Sequence, residues 1–194
     1  VMAQVTTVPN IIQKGYDGEV TIIFNTNEGN KGMASATQCY AHTGLITSAS
    51  SNDGDWKNVV ENWRENTTKT QLTKEGDNWK LVIPNIYDFY KCSQSTEIKK
   101  LAFVFHDGPG GSKEGKTAEG TDIFVELAEA GLAVSFAGAI PEISQKGDKI
   151  ELLCFATEVA QLSLTLNGKE VATAEGTEIT YTHLLDTEGD YVFT

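Results

Sequence analysis

The chain has 194 residues, with 15 basic and 27 acidic side chains and a formal net charge of −12. One arginine, Arg64, and this acidic balance argue against nucleic-acid binding, which needs clustered cations to neutralise phosphates. No apolar run reaches bilayer-spanning length, and no charged-then-apolar leader stands at Val1, so the chain is expected to lack its signal segment.

Short runs rich in β-branched and aromatic residues, bounded by Gly, Asn, Asp and Ser, follow one another. The first covers 20–24. Next comes Thr37 to Gly44, where alternation puts Tyr40 and His42 on one face of a strand. The small apolar Cys39 and Ala41 fall on the other. Trp56, Val59, Val60 and Trp63 recur at helical spacing, which predicts a helical turn or short helix within 55–66. Gly76 marks a loose hairpin over 74–78. It leads into a strand at 79–83, where Trp79 alternates with Leu81 and Ile83 and reads as core. Further strands are expected at 101–105 and 123–127.

Between those two strands, Gly110 to Thr117 fits the phosphate-loop pattern G-x-x-x-x-G-K-T. That motif works as strand, loop and helix, because loop amides and a helix N-terminus hold the phosphates together. Here a strand-like Ile123-Phe124-Val125 follows too soon for a helix to begin. The segment reads as a Gly-rich loop between strands.

A boundary is expected near 128–131. Residues 1–130 carry a net charge of −5 and all three tryptophans; residues 131–194 carry −7. In the second part, runs at 132–136, 150–156, 162–166, 179–183 and 191–194 suggest about five strands. Asn167-Gly168 is a two-residue hairpin signal, since both turn positions need positive φ. The fold class is therefore all-β, with two β-sandwich domains. The first spans 1–130. The second, 131–194, is immunoglobulin-like and is expected to be truncated or minimal.

Cys39, Cys92 and Cys154 lie far apart, and three histidines are scattered. No metal-ligand spacing exists, so neither a metal nor another cofactor is expected. Cys154 reads as a buried small hydrophobe. A Cys39–Cys92 bridge and free thiols both stay open. No serine or cysteine nucleophile pairs with a histidine, and no two carboxylates flank a cleft as glycoside hydrolysis requires. The segment is expected to be non-catalytic.

The aromatic residues carry more. Tyr40 and His42 on one face, beside a loop bearing Trp56, suit a flat ligand with C–H faces and hydroxyls, such as a sugar. They equally suit core packing. Trp63 is a second candidate platform, or core. Asp107, Lys113 and Lys116 are candidate hydroxyl partners, or members of a solvated loop.

The order Val20 to Asn25, Tyr40 to Gly44, Asp55-Trp56-Lys57, Gly76 to Ile83 and Leu101 to Gly108 resembles starch-binding modules of carbohydrate-binding-module families 25 and 26. The phrases Ala41 to Gly44, Lys113 to Lys116 and Asp122 to Val125 resemble the N-terminal β-sandwich modules of secreted α-amylases of Bacteroidetes, glycoside hydrolase family 13. The resemblance implies an α-glucan such as starch as partner. Its binding positions fall on Tyr40, His42 and Trp56, more weakly on Trp63. It also implies a monomeric binding region outside a catalytic barrel, in a protein that is extracellular, on the cell surface or periplasmic. The stretch from His42 to Trp56 is longer than in those families, and the late loop lacks a tryptophan. The alternative is a pair of spacer or protein-contact modules that bind no sugar.

Overall fold

A computed structural model describes residues 3–137 and 143–194. The protein is all-β, and its chain divides into two compact units, Gln4–Glu129 and Ala130–Thr194. No helix among the described residues is long and apolar enough to cross a membrane.

In the first unit, β1 (Val5–Val8), β2 (Val20–Asn25), β4 (Thr73–Glu75) and β5 (Asn78–Ile83) form one antiparallel sheet, in the order β1-β2-β5-β4. A second sheet contains β3 (Tyr40–Thr47), β6 (Ile98–His106), β7 (Glu114–Gly115) and β8 (Ile123–Glu126), with β6 pairing the other three. Alternation explains the core. Val20, Ile22 and Phe24 on β2 and Trp79, Leu81 and Ile83 on β5 are buried. They join Ala41, Leu45, Leu101, Phe103 and Phe105 of the other sheet in one cluster. Phe24 stacks on Phe105, with ring centroids 4.1 Å apart. Trp79 is thus core, as its alternation suggests.

The expected helix within 55–66 is absent, and this corrects the periodicity reading. Asn58 and Arg64 take φ of +51° and +63°, which break any helical run. Instead the segment lies along the free edge of β3. Lys57 N donates to Leu45 O (2.7 Å), Leu45 N donates to Lys57 O (2.8 Å) and Val60 N donates to Thr43 O (3.0 Å). The helix that does form, α1 (Ile86–Phe89), is one turn long. The Asn85 side chain caps it by accepting from the Tyr87 and Asp88 amides.

The Gly-rich segment runs strand, turn, strand. Glu114-Gly115 pairs with Phe105 and His106, and Thr117 N donates to Thr121 O in a turn. All three cysteines are free thiols; Cys39 lies in the core and Cys92 packs partly against it.

The second unit is one three-stranded antiparallel sheet, in the order β11-β10-β9, built from β9 (Val134–Phe136), β10 (Lys149–Leu166) and β11 (Lys169–Leu184). The turn between β10 and β11 has Asn167 at φ +50° and Gly168 at φ +79°, as the Asn-Gly signal requires. The expectation of about five separate strands is corrected. The runs at 150–156 and 162–166 are one strand, with a register shift between Phe155 and Ala160 where they join and another between Leu164 and Thr165. Residues 157–161 contain no Gly, Pro or Asn to end the ladder, so it bulges and continues. Residues 191–194 add a single bridge, Leu166 to Phe193. It is the one sheet of this unit among the described residues.

Candidate functional site

The outer face of the β3–β6 pair carries the sequence candidates. Cross-strand register sets Tyr40 opposite His106 and His42 opposite Val104. Since side chains alternate, Tyr40, His42 and His106 share the face that points away from the core. Gly44 follows on the same face. A Cβ there would sit 3.1 Å from Lys57 O and 3.1 Å from Val59 Cγ2. Its missing side chain lets residues 56–59 lie flat against the strand. That path delivers both Trp56 and Trp63 over His42.

Five rings result. Trp56 stacks on His42 at 5.5 Å between centroids and 27° between planes. Trp63 meets His42 edge-on at 5.2 Å and His106 at 5.3 Å. His106 stacks on Tyr40 at 5.8 Å. The cluster is layered. Tyr40 is 4% exposed and His106 1%, whereas Trp63 is 45% exposed. His42 and Trp56 are half-buried.

Tyr40 therefore corrects its expected role as an open stacking platform. His106 stacks on it, and a Cβ at Gly108 would meet its Cε2 at 3.3 Å. His42 is also no simple hydroxyl partner. Its Nδ1 is buried and lacks a hydrogen-bond partner among the described residues. Burial pushes the His42 pKa down, against smaller raising effects from Asp122 and the Glu61 backbone. His106 is lowered to about 4, by burial first and then by Arg64 and His42. Its Nδ1 accepts from the Gly108 amide (3.1 Å), a bond that needs that nitrogen unprotonated. Both rings are thus neutral near pH 7.

The loops are pinned by local bonds. Trp56 Nε1 donates to Asp53 O (3.2 Å), and Lys100 Nζ donates to both Asp53 carboxylate oxygens at 3.0 and 3.1 Å. Ser51 N and Lys57 Nζ both donate to Asp55, each at 2.9 Å.

Asp107 is engaged within the protein. Its Oδ1 accepts from Arg64 Nη1 (2.8 Å) and from Lys113 N (3.2 Å). Burial alone would raise its carboxyl; the Arg64 bond and backbone amides outweigh that and hold it below its ordinary value. Lys113, half-exposed, supplies its amide to Asp107 and its carbonyl to Arg64. The Lys116 ammonium pairs with Glu114 at 3.0 Å.

Tyr40, His42, Trp56 and Trp63 are thus brought together. Asp107 and Lys113 lie at the neighbouring loop as its internal supports. Two contributors, His106 and Arg64, were not among the sequence candidates. His106 was readable from alternation, two residues after Val104 on the strand bearing Phe103 and Phe105. Arg64 carried only the signal of being the one arginine, next to Trp63.

No protein-family model matches the chain, and comparison with curated proteins finds no match.

Proposed function

We propose that the first unit is a non-catalytic α-glucan-binding module. Trp63 is the sugar-facing ring, with Trp56 beside it and His42, His106 and Tyr40 behind. The observation that carries this is the half-exposed Trp63, its ring set steeply against those of two histidines on the sheet. A large aromatic fixed before binding loses little entropy when a pyranose C–H face packs on it. The neutral histidines keep the array free of added charge, which suits a neutral polysaccharide. One or two stacked rings and a few hydrogen bonds give weak affinity, on the order of micromolar to millimolar. In a longer secreted protein with an α-amylase-type barrel, such a module raises the local substrate concentration.

A spacer role is the second reading. It is favoured by the burial of Tyr40 and His106 and by the internal bond of Trp56 Nε1. Native electrophoresis in gels containing amylopectin, cellulose or xylan separates the two. The module reading expects retardation by amylopectin alone, weakened most in Trp63→Ala and less in Trp56→Ala and His42→Ala. Equal mobility with and without amylopectin supports the spacer.

A further inference from the structure

Arg64 stands where two loops meet. Its φ of +63° lies in the left-handed region, which residues other than Gly, Asn and Asp seldom occupy. Nη1 donates to Asp107 Oδ1 (2.8 Å) and to Gly108 O (3.3 Å), and Nη2 donates to Lys113 O (3.2 Å). Glu114 Oε1 lies 3.8 Å away. The guanidinium carbon sits 5.3 Å from the centroid of the Trp63 ring. The side chains of Arg64 and Asp107 are 17% and 16% exposed, so the pair is largely withdrawn from water.

This geometry uses what arginine alone supplies. A planar fork of five donors reaches a carboxylate and two carbonyls at once while its charged centre lies over an aromatic ring. An ammonium is a point charge on a flexible stem and cannot hold three acceptors in one plane. All partners of the fork belong to the loop from Asp107 to Glu114. The residue that carries it is covalently next to Trp63.

We propose that Arg64 is the positioning residue of the Trp63 platform. It ties the Trp63 loop to the loop after β6 and fixes the ring in the orientation that a sugar meets. Arg64 acts through the ring and does not itself touch the ligand. This inference rests on the reading of Trp63 as the sugar-facing residue.

The test uses the full chain with Arg64→Ala, Arg64→Lys, Trp63→Ala and the Arg64→Ala/Trp63→Ala double variant. Affinity for a linear malto-oligosaccharide is measured for each. Trp63 emission is isolated by subtracting the spectrum of Trp63→Phe. Arg64→Ala is expected to weaken binding about 10-fold, to red-shift Trp63 emission and to open it to acrylamide. In the Trp63→Ala background, the same change is expected to alter affinity less than about 2-fold, because the effect runs through the missing ring. Arg64→Lys keeps the charge and is not expected to rescue. Should Arg64→Ala fail to fold, Asp107→Asn is the second variant, expected to give the same red shift. Unchanged Trp63 emission together with affinity within about 2-fold of the wild type would overturn the proposal. Full rescue by lysine would do the same. If the wild type binds no malto-oligosaccharide, the glucan reading fails by itself, and the emission data still decide the positioning role.

Discussion

His106 is 1% exposed, and burial lowers its pKa. Its folded pKa, about 4, lies below the ordinary 6.5. As pH falls through this window the unfolded chain binds a proton that the folded one resists. The stability linked to His106 is therefore complete above about 6.5 and is lost as pH falls toward 4. Protonation would also end the bond that Nδ1 accepts from the Gly108 amide. Asp107 acts lower, below its ordinary 3.8, where protonation removes the charge that Arg64 pairs with. His106→Gln keeps an acceptor for the Gly108 amide and removes the titration. Urea unfolding from pH 7 to pH 4 is expected to cost the wild type on the order of 2 kcal/mol more than this variant. Parallel pH profiles contradict the assignment. At this scale the outward pair Tyr40 and His42 was legible from alternation. Their depth was not, because burial of Tyr40 depends on His106 and on the loop at Gly108, both more than sixty residues away.

Among the elements, β7 shows how a two-residue strand can be set by packing. A Cβ on Gly115 would lie 2.7 Å from Phe24 Cζ and 3.1 Å from Met33 Cγ, on the Phe24–Phe105 stack. Gly115→Ala is expected to destabilise the first unit by about 1–3 kcal/mol, read as a lower urea midpoint with unchanged slope. A midpoint equal to that of the wild type contradicts the close approach. The same glycine belongs to the phosphate-loop pattern, so its presence answers to the core. Strands β2, β5, β6 and β8 were legible because each has a clear apolar face or run. Strands β1 and β7 were too short to show a period, and α1, at one turn, is too short for its spacing to recur. The mistaken helix at 55–66 has a specific cause. Trp56 and Trp63 are spaced to reach His42 from two sides, and Val60 to touch the core, while the backbone follows the edge of β3. Three separate contacts produced a helical spacing.

For the whole molecule, the charge of −12 bears on what can be bound. A neutral glucan needs no counterion release, so its affinity is expected to stay within about 2-fold between 50 mM and 500 mM salt. The two halves were legible to different degrees. In the first, alternating strands reported a two-sheet core. In the second, apolar runs reported strands but not their fusion into the long β10–β11 ribbon, since a bulge leaves the hydrophobic pattern looking like a turn. Trp56, Trp63 and Trp79 all lie in the first unit, and Trp79 is buried in its core. Tryptophan emission therefore reads the site directly. The decisive measurement is a fluorescence titration of the wild type and Trp63→Phe with a linear malto-oligosaccharide. The wild type is predicted to show a saturable change with a Kd on the order of micromolar to millimolar, and Trp63→Phe to lose it. A flat titration in the wild type, or an equal change in Trp63→Phe, contradicts the account.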